Sequence, residues 1–158
     1  MMGQLLSKIY TAILKVLGRT TPTPQYLVPP SSTKEIDITR LRNLLQARFP
    51  DAQIFLSDRK YKLCNIDDIY RFIGQDKTNK MEFEDDWLDC DDFTYRLLGQ
   101  FSIPGWASLA FGMCWTDKHA LNVLVTEERE VKFLEPQTDE IKDKLETEWG
   151  TKYRMVII

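Results

Sequence analysis

The feature that most limits what this chain can fold into is the segment HALNVLVTEEREVKFLEP, which runs from His119 to Pro136. Two runs rich in β-branched and apolar residues flank the charged stretch TEERE, an arrangement typical of two strands joined by a turn. The segment therefore predicts an antiparallel β-hairpin with its turn centred near Glu128. It is the clearest pattern of secondary structure in the chain.

This hairpin brings a histidine and a carboxylate towards each other. His119 lies near the start of the first strand and Glu135 near the end of the second, so the two face each other roughly across the pair. Residues opposite one another share a face, with Cβ atoms about 5 Å apart. A histidine beside a carboxylate forms the base and orienting residue of a catalytic triad. Taken alone, each is more often a strand-end surface residue, but His119 is the only histidine.

The remaining patterns predict an α+β fold with N-terminal helices and an antiparallel sheet. The apolar stripe from Ile38 to Phe49 predicts a helix that Pro50 ends. Asn65 and Gly74 are expected to cap a second helix. Further expected elements are strands at QIFLS, after Pro104-Gly105 and at YRMVII, and a final helix over DEIKDKLETEWG.

Three segments are expected along the chain: an amphipathic helix over residues 1–18, a Pro/Ser/Thr-rich linker over 19–34 and one domain over 35–158. The helix is expected to pack on its own domain, on a partner or on a second copy. A membrane-surface helix and a signal peptide are the alternatives. No apolar run approaches the ~20 residues needed to cross a bilayer. Nothing else in the chain is expected to precede the domain.

Charge and cysteine content argue against a nucleic-acid partner and against a disulfide-bonded fold. The net charge is −3 and the basic residues are scattered, which argues against nucleic acid. The three cysteines form neither a C-x-x-C pair nor a disulfide framework, so reduced thiols and a cytoplasmic location are expected. A zinc site built from Cys64, Cys90, Cys114 and His119 is conceivable but lacks the usual spacing.

Cys90 is the candidate nucleophile. Asp89 is a good N-cap and Asp92 follows three residues later, so Cys90 falls in the first turn of a helix. The unpaired backbone N–H groups of that turn stabilise a thiolate. The neighbouring carboxylates disfavour one unless a cation offsets them. Taken alone, a cysteine is more often a buried structural residue.

The acids around Cys90 suggest how that charge could be offset. Oxygen-rich clusters suit Ca²⁺, which takes 6–8 oxygen ligands. Asp91 and Asp92 are the first choices as ligands. The cluster has no EF-hand pattern, and a solvated acidic face with helix-capping residues is the alternative.

The blocks CDDF, KHALNVLV and VKFLEPQTDEI resemble the C-terminal domain of mushroom lectins of the Marasmius oreades agglutinin type, and related single-domain proteins of phage and bacteria. The resemblance runs from about Asp37 to Ile158. It implies a papain-like or transglutaminase-like fold and calcium-dependent cysteine peptidase activity on a peptide or protein substrate. Cys90 would then be the nucleophile, His119 the general base and Glu135 the orienting residue. The implied location is the cytoplasm, or the host cytoplasm for a viral protein.

Two departures from that family leave other functions open. The sugar-binding module of the lectins has no counterpart in this sequence. Papain-like enzymes place a glutamine that donates to the oxyanion a few residues before the cysteine. This chain has Glu84 in that neighbourhood, and an ionised carboxylate cannot donate. The alternatives are a catalytically silent interaction or structural module, and a transglutaminase-like acyltransferase.

Overall fold

The computed structural model describes residues 28–158. The predicted helix over 1–18 and the linker residues 19–27 lie outside this range. The α-helices are α1 (Ile38–Arg48), α2 (Ile66–Ile73) and α3 (Cys90–Phe101). The strands are β1 (Glu35–Asp37), β2 (Gln53–Phe55), β3 (Lys60–Lys62), β4 (Phe111–Thr116), β5 (Ala120–Val125), β6 (Val131–Glu135), β7 (Glu140–Lys142) and β8 (Tyr153–Ile157). Short 3₁₀ turns cover Thr78–Lys80 and Thr147–Trp149.

Six strands form the main sheet, in the order β2-β8-β4-β5-β6-β7. All neighbouring pairs are antiparallel except β2 with β8, which is parallel. A separate two-stranded sheet joins β1 to β3. The α+β class is therefore confirmed, with a sheet that is mixed at one edge.

Helices cover both faces of the sheet because the side chains of its central strand alternate. On β5, Leu121 and Val123 pack with Leu41 and Leu45 of α1 in one hydrophobic core. Leu124 points to the other face, where α2 and α3 pack in a second core. A strand buried on both faces reads as a continuous apolar run, as β5 does. This layering fixes the start of α3 relative to the β5–β6 hairpin.

The C-terminal part of the chain differs from its prediction. Residues 139–150, predicted as a helix, form β7, a loop and a 3₁₀ turn. Ile141 pairs with Leu134 at the edge of the sheet. Because β6 would otherwise present unpaired backbone groups, edge pairing outweighs the helix propensity of this charged segment.

Residues 28–34, in the second part of the predicted linker, lie on the domain surface. The Ser31 hydroxyl donates to the buried Asp68 carboxylate at 2.9 Å, and the Ser32 hydroxyl donates to Glu127 at 2.8 Å. The Trp106 indole N–H donates to the Val28 carbonyl at 3.1 Å. These contacts hold the segment against α2 and the hairpin turn. Within residues 28–158, no helix is long and apolar enough to cross a membrane.

Gly112 is the glycine whose replacement should damage the fold most. A Cβ there would overlap the backbone carbonyl of Ile157 on the adjacent strand. We expect Gly112→Ala to lower the free energy of unfolding by roughly 3 kcal/mol, because backbone atoms of a central strand cannot move aside cheaply. Urea denaturation followed by circular dichroism measures the change.

Gly99 provides the matched control for this prediction. It lies in α3, and a Cβ there would meet no atom within 4 Å. Gly99→Ala should raise the free energy of unfolding by about 0.5–1 kcal/mol through helix propensity alone. Equal effects of the two substitutions would contradict the close contact at Gly112.

Candidate active site

The helix that carries Cys90 begins with a capping box, as the sequence predicts. The Asp89 carboxylate accepts from the Asp91 backbone N–H at 3.4 Å, and the Asp92 carboxylate accepts from the Asp89 N–H at 3.2 Å. Cys90 is the first residue of α3, and its side chain is half-buried. The first N–H groups of a helix have no intrahelical acceptor, so that of Cys90 is free to serve a ligand.

A tight loop leads into this helix. The backbones of Glu84 and Leu88 bond to each other, and Asp86 adopts a left-handed φ of 64° between them. Trp87 is 80% exposed on this loop. The Glu84 side chain is also exposed.

His119 is fixed by a turn just before β5. Its backbone N–H donates to the Thr116 hydroxyl at 2.9 Å, and its carbonyl accepts from the Thr116 N–H at 2.9 Å. The imidazole packs against the Trp149 ring with 5.2 Å between centroids. Sequence reasoning missed both neighbours. Thr116 could have been found from the local pattern in which a threonine hydroxyl bonds nearby backbone groups, whereas Trp149 has no local signal that relates it to His119.

The predicted pair of His119 and Glu135 is present. Nε2 of His119 lies 2.6 Å from Oε2 of Glu135, whose other oxygen accepts from the Gln137 backbone N–H at 3.1 Å. Glu135 is buried, at 4% exposure. A buried carboxylate bonded on both oxygens holds the imidazole in one orientation.

The strand register differs from the one expected for this pair. Asn122 pairs with Leu134, and extending that register places Leu121 opposite Glu135. His119 and Glu135 are therefore diagonal neighbours on one face. Their side chains meet because long side chains reach across a diagonal, where Cβ atoms are about 7–8 Å apart.

The Cys90 side chain lies beside the pair, close enough to affect the pKa of His119. Burial lowers the pKa of His119, but hydrogen bonds with Cys90 and Glu135, together with their charges, outweigh it and raise this pKa to about 9. Since Nε2 bonds Glu135, Nδ1 is the nitrogen left for the thiol. The structure thus brings Cys90, His119 and Glu135 together from a helix, a turn and a strand end.

Three acids surround the start of α3. Carboxylate oxygens of Asp89, Asp91 and Asp92 lie within 4.8 Å of one another. A hydrogen bond between Asp89 and Asp91 raises the pKa of Asp91 and lowers the pKa of Asp89. The Cys90 side chain lies close enough to Asp89 to lower the pKa of that carboxyl further. Sequence reasoning counted Asp89 among the acids around Cys90 but chose only Asp91 and Asp92 as the first ligands; the structure places Asp89 with them.

The alternative zinc site does not assemble. Cys64 and Cys114 are fully buried in the two hydrophobic cores. Burial raises the pKa of Cys64 strongly and that of Cys114 to about 12, so both stay thiols. Among residues 28–158, the one group of three or more His, Cys, Asp or Glu side chains close enough to share a metal ion is the aspartate cluster.

No protein-family model matches this sequence, and no curated protein matches it. Solved structures do match. PSL1a in its complex with E64 has a TM-score of 0.68 and 21% sequence identity, covering 78% of this chain and 50% of that one. Polyporus squamosus lectin bound to the human-type influenza-binding epitope Neu5Acα2-6Galβ1-4GlcNAc has a TM-score of 0.65 and 21% sequence identity, covering 78% of this chain and 49% of that one. The protein shares its fold with part of a fungal lectin.

This chain spans about half the length of those neighbours. The similarity supports the expected relation to fungal lectin chains at the level of the fold. At 21% identity it says nothing about which residues act or what they act on.

Proposed function

We propose that this protein is a papain-like cysteine hydrolase that cleaves peptide bonds. The observation that carries the proposal is the linked arrangement of the Cys90 thiol, the His119 ring and the Glu135 carboxylate, with the ring held at 2.6 Å by a buried acid. A nucleophile, a base in hydrogen-bond contact and a residue that orients the base are the parts required for covalent catalysis.

The reaction follows from these positions. His119 takes the proton of the Cys90 thiol, and the thiolate attacks the carbonyl carbon of the peptide. The His119 imidazolium then gives that proton to the leaving amine, which departs and leaves a thioester on Cys90. A water molecule, deprotonated by the same ring, attacks the thioester and releases the acid. Glu135 keeps the His119 ring in place during both the formation and the hydrolysis of the thioester.

The developing oxyanion needs a donor other than Glu84. We assign this role to the backbone N–H of Cys90, because the first N–H groups of α3 have no intrahelical acceptor. The positive end of the helix dipole lies at the same point and favours the negative charge. A single assigned donor is consistent with a slow enzyme.

Calcium is the cofactor proposed for Asp91 and Asp92, with Asp89 as a third ligand. The donor set fits, because three carboxylates offer oxygen atoms within 4.8 Å of one another, and carboxylate oxygens are the ligands that Ca²⁺ prefers. A bound cation would supply positive charge beside the thiol.

Calcium dependence gives a direct prediction. We expect peptide cleavage to rise with calcium, and Asp91→Asn to raise the calcium concentration for half-maximal activity by at least about ten-fold. Asp51→Asn, at an exposed acid outside the cluster, is the control and should leave that concentration unchanged. Calcium-independent cleavage in the native protein would contradict the cation site but not the triad.

The reaction class is tested by incubating the protein with a fluorescent casein substrate, with and without E64, the compound bound by one structural neighbour. We expect cleavage that E64 blocks. Adding a primary amine separates hydrolysis from acyl transfer, since a transglutaminase-like enzyme would produce amide adducts. No cleavage and no adduct at any calcium concentration would favour the catalytically silent module.

Glycan binding is a second candidate, favoured by the neighbour bound to Neu5Acα2-6Galβ1-4GlcNAc. Isothermal titration of the same trisaccharide tests it. A glycan-binding module would give saturable heat, whereas the hydrolase proposal requires none. Saturable binding that survives Cys90→Ala would make a glycan-binding module the better conclusion.

A further inference from the structure

A cavity of about 270 Å³ lies between the C-terminal end of α2 and the outer face of α3, apart from the candidate triad. Phe72 and Ile103 supply its apolar surface. Phe72 is buried, and it packs on Phe101 with ring centroids 4.0 Å apart, so its ring is held in place by the core. A cavity of about 150 Å³ accommodates benzene, so the space suffices for a ring with a polar substituent.

Two cations line the cavity from opposite sides. Arg96 comes from α3, and Lys77 comes from the loop after α2. Within residues 28–158, neither side chain forms an ion pair. The acid at this site is Asp76, one of whose oxygens accepts from the Thr78 backbone N–H at 2.7 Å. The lining therefore carries one excess positive charge.

Two amides complete the polar part of the lining. Gln100 lies four residues after Arg96, so both project from one face of α3. Gln75 donates one of its two amide hydrogens to the Arg71 carbonyl at 2.6 Å, which leaves the second hydrogen to donate to a ligand. Guanidinium, ammonium and amide donors converge over an apolar surface, which is the composition of a site for a small amphiphilic anion.

We infer that this cavity binds a small carboxylate with an apolar body. The guanidinium of Arg96 bonds both carboxylate oxygens, the Lys77 ammonium pairs with the charge, and the apolar body lies on Phe72 and Ile103. A monoanion matches the single excess charge. A phosphate dianion would leave the site negative beside Asp76 and would not use the apolar surface. This inference does not depend on the proposed peptidase activity.

Titration of benzoate into ¹⁵N-labelled full-length protein tests the site. We expect the largest amide shift changes within residues 75–77 and 96–103, saturating with one site. Benzamide has the same shape without the charge and should bind at least about ten-fold more weakly. Equal affinity for benzamide, tighter binding of inorganic phosphate, or shift changes elsewhere would overturn the inference.

Arg96→Gln removes the guanidinium group from the proposed site. Arg96 is exposed on α3, so the substitution should leave the fold intact. We expect it to weaken benzoate binding about ten-fold, with the remaining amide spectrum unchanged. Arg59→Gln removes an exposed cation that does not line the cavity and should bind benzoate as the native protein does. An equal loss in both variants would show non-specific attraction to positive charge and would also overturn the site.

Discussion

Cys90→Ala is expected to abolish peptide hydrolysis, lowering kcat/KM by at least about a thousand-fold. The substitution removes the atom that forms the thioester, and nothing else in the site can replace it. Asp89, Asp91 and Asp92 are too weakly nucleophilic and too close to one another to take over. Hydrolysis of fluorescent casein, followed over a range of enzyme concentrations, gives the ratio directly.

The two other cysteines provide the control for this experiment. Cys64 and Cys114 are both fully buried, so iodoacetamide should modify Cys90 alone in the folded protein. Mass spectrometry should find one alkylated thiol, and alkylation should remove activity in parallel. Cys64→Ala, assayed at a temperature where it remains folded, should retain cleavage. Activity that persists in Cys90→Ala would remove the nucleophile from the proposal.

Glu135→Gln is expected to lower kcat/KM by roughly a hundred-fold and to narrow the pH range of activity from its alkaline side. Burial lowers the pKa of His119, but the hydrogen bonds and charges of Cys90 and Glu135 raise it to about 9. The imidazolium that protonates the leaving amine is therefore lost as pH rises through about 9. Removing the Glu135 charge lowers this pKa, so the alkaline limb of the pH–rate profile moves to lower pH.

The same variant should change how stability depends on pH. The folded pKa of His119, about 9, exceeds its ordinary value of 6.5, so protonation stabilises the fold fully below pH 6.5. That contribution disappears as pH rises through about 9. Melting temperatures of the native protein should fall across this window, and those of Glu135→Gln should fall less.

Glu140→Gln is the control for both measurements, because Glu140 is exposed on the neighbouring strand and pairs with Lys142. It should keep the native alkaline limb. If Glu135→Gln leaves the limb at its native position, Glu135 does not act through the charge of His119.

Elements with strong local signals were predicted from the sequence. The caps of α2 and α3, at Asn65 and Asp89, act within one helical turn, so short stretches of sequence specify them. The hairpin was predicted by its apolar runs and charged turn. The strand β7 was missed because its stability comes from pairing with β6, and the sequence of a short charged segment does not indicate which strand it pairs with.

For the candidate site, the sequence by itself determined which groups are available: one histidine, a cysteine at a capped helix start and an acid at a strand end. Only the tertiary structure decided how they meet. Packing of α3 on the sheet brings the Cys90 thiol to the His119 ring, and the diagonal register brings that ring to Glu135. Such contacts join residues 16 or more positions apart, so they depend on the shape of the packed cores rather than on local spacing.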